Sequence, residues 1–358
     1  MRIVVGMSGG VDSSVTAALL KAQGHEVTGV TMRLWDGSVA LPAGAAGGCF
    51  GPGEAEDIAA AQACCESLGI SHRVVDLAAE YRSEVLEYVC GEYRSGRTPN
   101  PCVRCNRAIK FGGLLRRIRE QGLEFDRFAT GHYARVAPGE PAGRVRLFRG
   151  VDRSKDQSYF LSRLRQDQLA VAMFPLGGMT KVEVRRLAAA RGWGALVEKP
   201  ESQDFLDGGR YDVLFQGRAR PGPIVDLDGR RVGEHRGIEF YTVGQRKGLG
   251  IGGLKKPLYV VRLDAAANTV VVGPFEALFG RELRAVDLNW VGLAAAAPAE
   301  FRVEAQIRQQ HRAAPAVARA SGGGVDVRFD EPQMSVTPGQ TVVLYREDEV
   351  MASGIIET

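Results

Sequence analysis

The sequence predicts an α/β fold with a doubly wound parallel sheet, followed by a small central domain and a β-rich C-terminal domain. Three observations lead there. Over the first two hundred residues, short β-branched runs alternate with helical patterns, the sequence form of a parallel sheet with crossover helices. A glycine- and serine-rich turn joins the first strand to the first helix, at the sheet end where such folds hold ligands. From Arg210 onward, prolines and glycines punctuate short segments, and alternating apolar runs replace the helices.

The first strand, Ile3-Val4-Val5, stops at Gly6; Met7-Ser8-Gly9-Gly10 is a turn, and Val11-Asp12-Ser13-Ser14 opens a helix. Glycines let the backbone approach an anion closely, and the first-turn N–H groups with the helix dipole favour negative charge there. Ser8, Ser13 and Ser14 add hydroxyl donors. The turn lacks the Gly-Lys-Ser/Thr ending of a nucleoside-triphosphate P-loop and is not GxGxxG. Its order, Ser8-Gly9-Gly10-Val11-Asp12-Ser13, resembles the pyrophosphate loop of the ATP pyrophosphatases, which split ATP into AMP and pyrophosphate to adenylate a substrate. On that reading Asp12→Ala abolishes turnover and leaves the fold intact.

Gly24 is a C-cap, and Glu26 to Met32 reads as the second strand. With the first strand central, Met32 lies beside the nucleotide as an adenine contact, although a plain core methionine fits equally well. Residues 36–53 are rich in Gly, Ala and Pro and read as an excursion over the site. A helix from Glu54 to Leu68 ends at Gly69 and carries Cys64 and Cys65 as inert thiols. His72 to Leu77 is a third strand, Ala79 to Tyr93 a third helix with Cys90. Phe128-Ala129 begins another strand, and Gly131 is placed for a close backbone approach. Lys155 to Leu161 and Lys181 to Arg191 are short helices, the latter capped at Thr180. Strands such as Tyr259 to Leu263 and Thr341 to Tyr345 build the C-terminal β domain. Boundaries fall near 207 and 281, giving domains 1–207, 208–280 and 281–358.

Composition is that of a soluble protein: 45% hydrophobic, 25% charged, net charge +4 over 358 residues. No apolar run is long enough to span a bilayer, so a cytoplasmic protein with no membrane partner is expected. All six cysteines precede residue 106, which in a cytosolic chain argues for reactive or metal-binding thiols rather than a disulfide framework. In Thr98-Pro99-Asn100-Pro101-Cys102-Val103-Arg104-Cys105, the helical pattern resumes at Cys102. A thiol at a helix start beside Arg97, Arg104 and Arg107 is a candidate nucleophile. A zinc site would need a second ligand pair, and the chain has five histidines and no second CxxC.

Taken together, Gly6 to Ser13, Gly96 to Phe111, Gly131 to Arg135, Gly150 to Leu161, Phe174 to Arg186, Phe240 to Gly250 and Val336 to Gln340 resemble the bacterial tRNA-specific 2-thiouridylases, in the same order and over essentially the full length. The resemblance implies an adenine-nucleotide hydrolase-like domain, a small central domain and a C-terminal β-barrel. It implies replacement of the 2-oxygen of uridine 34 in the tRNA anticodon by sulfur: ATP adenylates the oxygen, and sulfur then displaces AMP. By resemblance, Gly6, Met7, Ser8, Gly9, Gly10, Val11, Asp12 and Ser13 cradle pyrophosphate with Mg2+, Met32 and Gly131 contact ATP, and Cys102 is the nucleophile. His132, Lys155, Asp156, Gln157 and Gln340 face tRNA.

One departure bears on sulfur delivery. The family carries a second cysteine shortly after a triplet matched here by Ser202-Gln203-Asp204, but Phe205-Leu206 follows and no cysteine occurs after Cys105. Arg308-Gln309-Gln310 also departs from the family's Arg-Tyr-Arg. Three readings of the thiols stay open. Cys105 takes the absent cysteine's part; or Cys102, Cys105 and a third thiol such as Cys90 or Cys65 hold a [4Fe-4S] cluster that binds inorganic sulfide; or a donor protein hands sulfur to Cys102 directly. Two other functions compete: adenylation of a small substrate, and a non-catalytic tRNA-binding relic.

Overall fold

The computed structural model describes residues 1–39, 41, 48–139, 143–199, 205–206, 211–215, 219–252, 256–293 and 299–358. The chain divides into two compact units, one of Met1–Val85, Cys102–Arg210 and Asp348–Val350, the other of Leu86–Pro101, Tyr211–Glu347 and Met351–Thr358.

The first unit is built on β1 (Arg2–Gly6), α1 (Val11–Ala22), β2 (Glu26–Arg33), α2 (Glu54–Leu68), β3 (Ser71–Asp76), β4 (Arg127–Ala129), the hairpin β5 (Ala134–Gly139) and β6 (Arg144–Arg149), and β7 (Ala172–Met173). β3, β2, β1, β4 and β7 form one parallel sheet in that order. β1 is central because Ile3, Val4 and Val5 are buried on both faces, the continuous apolar pattern of a strand covered on both sides. Ile3 and Val5 pack with Leu20, Cys64 and Cys65. Val11 and Val15 pack with Tyr133, Leu176 and Val184. Burying each large aliphatic side chain contributes about 1.5–3 kcal/mol. Gly69 caps α2 in the left-handed conformation, φ 59° and ψ 44°, and Thr180 opens the helix Lys181–Ala189 with a capping box to Glu183.

The expected single helix over Ala79 to Tyr93 is interrupted. Ala78–Tyr81 is followed by a wide π-type turn at Arg82–Leu86 and then by Glu87–Arg94, and the wide turn spans the point where the chain leaves the first unit.

In the second unit, β8 (Gly222–Val225), β9 (Arg231–His235), β10 (Tyr259–Asp264) and β11 (Thr269–Gly273) form a four-stranded sheet. The Tyr259 run therefore belongs to this sheet and not to the C-terminal β domain. β12 (Phe279–Trp290), β13 (Glu300–Gln306), β14 (Ala314–Ser321), β15 (Gly324–Met334), β16 (Thr341–Arg346) and β17 (Glu349–Ile356) run in the order β12-β15-β14-β13-β16-β17. Pairing of Ala285 with Ile356 and Trp290 with Ala352 closes them into a six-stranded barrel. Along β13, Phe301, Val303 and Ala305 point into the barrel core while Glu300, Arg302 and Glu304 face solvent, the two-residue period of a half-buried strand.

β17 is shared. Glu349 pairs with Phe148 of β6 in the first unit, where Asp348 accepts from Arg135 at 2.8 Å and Glu349 from Arg146 at 2.7 Å. In the second unit, Thr98 N donates to Pro338 O at 2.8 Å, and Tyr93 packs edge-on against Phe215. Among the described residues, no helix is long and apolar enough to cross a membrane.

Candidate active site

The carboxyl ends of β1, β2 and β4 open on a cavity of about 320 Å³. The chain leaves β1 toward β2 and β3 on one side and returns to β4 and β7 on the other. The crevice at such a reversal is where open α/β sheets take their ligands.

The glycine turn forms the cavity floor. Met7 N is tied to Val30 O at 2.8 Å, which ends β1 squarely. Ser13 Oγ accepts from Ser8 N at 3.2 Å and donates to Gly10 O at 3.1 Å, so the hydroxyl folds the loop back over the start of α1. Gly10 is the N-cap and offers no side-chain cap, which directs the first N–H groups of α1 at the cavity. Gly9 has φ +68°, and a Cβ there would lie 2.4 Å from Asp57 O. A Cβ on Gly131 would lie 2.8 Å from the Asp12 carbonyl carbon. Both glycines are dictated by close backbone approach. Met32 and Gly131 line the cavity as expected of nucleotide contacts, as do Val30 and Leu34.

Asp12 is held differently from the expectation. Lys181 Nζ donates to both its carboxylate oxygens at 2.8 Å, and Tyr133 Oη donates to Oδ1 at 2.9 Å. The Lys181 side chain is 7% exposed. Asp12 is thus a partner in a largely buried ion pair, and its loss would remove two of the ammonium's hydrogen bonds. The expectation that Asp12→Ala spares the fold is therefore corrected. Three acceptor sites of the Asp12 carboxylate are thus taken, two on Oδ1 and one on Oδ2, which leaves one on Oδ2 for a further ligand. Two lysines, Lys110 and Lys199, lie on the cavity wall, and Lys199 pairs with Asp57 at 2.5 Å.

Cys102 and Cys105 stand one turn apart on the helix Pro101–Cys105. Two of the three arginines expected beside Cys102 are engaged elsewhere: Arg97 Nε donates to Glu92 at 2.8 Å, and Arg104 Nε to Glu84 O at 2.9 Å. The cation acting on a thiol is Lys110, which lowers the pKa of Cys105 against a burial that pushes it up to about 12. Cys65 lies in the β1–α2 core, and burial pushes its thiol up to about 12 as well. Cys90 belongs to the second unit. No three Cys, His, Asp or Glu side chains among the described residues are disposed to hold a metal ion, so Cys65 does not fit as the third ligand of a [4Fe-4S] cluster. Ser202-Gln203-Asp204 lies outside the described residues.

The residues expected to face tRNA are largely committed within the protein. Asp156 Oδ1 accepts from Gly150 N at 2.9 Å and Oδ2 from Ser158 Oγ at 2.9 Å. Gln157 Oε1 accepts from Tyr133 N at 3.0 Å, and the residue lines the cavity. Lys155 N closes a turn on Asp152 O. In the second unit, Gln340 Nε2 donates to Thr98 O at 2.9 Å and Pro99 O at 3.1 Å, fixing the approach to the cysteine stretch. His132 is in the cavity wall rather than on an outer face, tilted against Phe111 and edge-on to Phe174, with Nδ1 2.7 Å from Thr130 Oγ1.

Burial, aided by Lys110, holds the His132 imidazole well below its ordinary value of 6.5, so it is neutral in the folded protein. Its contribution to stability is whole above pH 6.5 and is lost as pH falls toward the folded value, because the unfolded chain binds the proton first. Between pH 6.5 and 5 the loss is up to about 1.4 kcal/mol per pH unit. Denaturant midpoints of His132→Asn measured across that range should fall less steeply than those of the parent chain. Equal slopes would remove His132 as a group held neutral by the fold.

Sequence reasoning missed Lys181, Tyr133 and Glu54. Glu54 Oε1 accepts from Leu34 N at 2.6 Å and Oε2 from Trp35 N at 3.2 Å, and burial pushes its carboxyl up. Its position at the start of α2 was the available signal, since an acid there favours the helix. Lys181 gave none, being 169 positions from Asp12.

Three family descriptions match successive parts of the chain. They are a tRNA methyl transferase HUP domain over residues 1–206, a tRNA methyl transferase PRC-barrel domain over 215–274, and an aminomethyltransferase beta-barrel domain over 280–356. The chain is 48% identical to a tRNA-specific 2-thiouridylase MnmA of Heliobacterium modesticaldum, covering 99% of this chain and 92% of that protein. It is 45% identical to the protein of the same name from Endomicrobium trichonymphae, and 48% to that from a Roseiflexus species, each over 99% of both chains.

Proposed function

The chain belongs to the family of tRNA-specific 2-thiouridylases, and from that premise we propose that it is an ATP-dependent tRNA sulfurtransferase acting on uridine 34. The observation that carries the reading is the cavity at the ends of β1 and β4, floored by Gly6 to Ser13. Backbone N–H groups and serine hydroxyls converge there as a pyrophosphate cradle needs. The uracil 2-oxygen attacks the α-phosphorus of ATP and pyrophosphate leaves. Sulfur then attacks C2 and AMP leaves, so a poor leaving group becomes a good one. In this scheme Met32 and Gly131 bound the adenine nucleotide, and either Cys102 relays the outer sulfur of a donor protein's persulfide, releasing the donor thiol, or inorganic sulfide attacks C2 directly beside Cys102. The Asp12–Lys181 pair positions the loop. No step is assigned to Mg2+ or to an iron–sulfur cluster.

Arg246 and Lys247 are exposed and would hold tRNA phosphates, contacts that weaken as salt rises. A tRNA-modifying role fits a cytoplasmic protein. Methyl transfer, named in two of the matched descriptions, needs neither a pyrophosphate cradle nor a thiol.

The test is to incubate the protein with ATP, with and without tRNA, and to measure AMP and pyrophosphate. Release that depends on tRNA is expected. Release that depends instead on a small acid or amine would move the protein to another adenylating class, and no release would leave a tRNA-binding relic.

A further inference from the structure

Arg97 to Asn100 leads the chain into the helix that carries Cys102 and Cys105, and belongs to no helix or strand itself. Pro99 and Pro101 carry no N–H, so this strap cannot pair as a strand does. Pro99 is buried, and the carbonyls of Thr98 and Pro99 need donors from elsewhere in the fold. One side chain supplies both. Gln340 Nε2 donates to Thr98 O at 2.9 Å and to Pro99 O at 3.1 Å, which uses both protons of its amide.

The donor is itself fixed. Gln340 N donates to Thr337 O at 3.2 Å, and Gln340 O accepts from Ile356 N of β17 at 2.8 Å. Thr98 N donates to Pro338 O of the same turn at 2.8 Å. A Cβ on Gly339 would stand 2.8 Å from Thr98 N, so turn and strap meet backbone to backbone. Thr98 Oγ1 donates to Thr242 Oγ1 at 3.4 Å. All of these groups belong to the second unit. Between Pro99 and Cys102 stand only Asn100 and Pro101. Pro101 fixes its own φ and restricts Asn100 to extended backbone, so a shift at Pro99 passes along the chain to the first thiol with little slack.

We propose that Gln340 is a positioning residue for sulfur transfer: by holding the Thr98 and Pro99 carbonyls, it sets where the Cys102–Cys105 helix begins. The inference rests on the sulfurtransferase reading. It takes the place of the tRNA contact expected of Gln340, because an amide with both protons spent on the strap has no donor left for a nucleotide. The role separates the two halves of the reaction. Attack of the uracil oxygen on ATP releases pyrophosphate without a thiol, whereas sulfur displaces AMP beside one.

The experiment compares the full chain with Gln340→Leu, which keeps the side chain's size and loses both donors, and with Gly339→Ala, which presses on the same strap and offers tRNA no polar group. Four quantities are measured: tRNA Kd, tRNA-dependent pyrophosphate release, 2-thiouridine formed from sodium sulfide or cysteine persulfide, and iodoacetamide alkylation of Cys102 and Cys105 without tRNA. A parent chain that makes neither pyrophosphate nor 2-thiouridine would overturn the sulfurtransferase reading and this inference with it. In both variants, tRNA Kd and pyrophosphate release should stay within about threefold of the parent, while 2-thiouridine forms roughly tenfold to a hundredfold more slowly, the scale of a misplacement on the order of 1 Å. The alkylation rate of at least one of the two thiols should change by about threefold or more, as a displaced helix start requires. Parent-rate 2-thiouridine formation by Gln340→Leu would overturn the assignment and leave the activity in place. So would a tRNA Kd about tenfold weaker with parent alkylation rates, which would make Gln340 a tRNA contact after all.

Discussion

Asp12→Ala is expected to lower stability by about 1.5–3 kcal/mol as well as to abolish tRNA-dependent pyrophosphate release, because it removes the carboxylate that accepts two hydrogen bonds from the Lys181 ammonium and one from Tyr133. The two effects separate in the double variant Asp12→Ala with Lys181→Met. Removing both charges should return most of the stability, since an apolar pair of similar volume is often neutral. Activity should stay lost, because the loop is no longer held. Denaturant midpoints and pyrophosphate release on the three chains make the comparison. A single Asp12→Ala variant with parent stability would show that Lys181 reaches water in solution.

Gly9→Ala should be nearly as damaging to turnover, through the backbone. At φ +68° an L-residue costs about 1–2 kcal/mol, and the new Cβ would meet the Asp57 carbonyl oxygen at 2.4 Å. Neither group can yield without moving the loop or the first turn of α2. A displacement on the order of 1 Å at a positioning loop can lower turnover by on the order of 10²-fold. The expected result is therefore a modest fall in thermal midpoint with a large fall in pyrophosphate release. Turnover within a few-fold of the parent would show that the loop tolerates a shift, and would weaken its reading as a rigid cradle.

What could be read in the sequence was local. Ile3-Val4-Val5 followed by the glycine turn announced a central strand and its ligand end, because burial on both faces and close anion approach each leave their mark within a few residues. Gly69 and Thr180 marked helix ends for the same reason. The Asp12–Lys181–Tyr133 arrangement was illegible, since its members come from three distant segments and each side chain alone is unremarkable. Asp156, Gln157 and Gln340 show the reverse. Their polar side chains each close backbone hydrogen bonds that no local pattern announces. Barrel closure came only through the family resemblance, because pairing of β12 with β17 joins segments whose alternation would suit an open sheet as well.

The division of β17 bears on how the first unit assembles. Asp348 and Glu349 bind Arg135 and Arg146 on that unit's hairpin, and Asp348 also binds Arg153 just beyond it. Apart from Asp348–Val350, every residue of the unit precedes Tyr211. The three guanidiniums therefore find these carboxylates only after the chain has passed through the whole four-stranded sheet and most of the barrel. A unit whose core is built from early segments is in this way finished by a late one, and a chain cut anywhere between them would leave the hairpin without these partners.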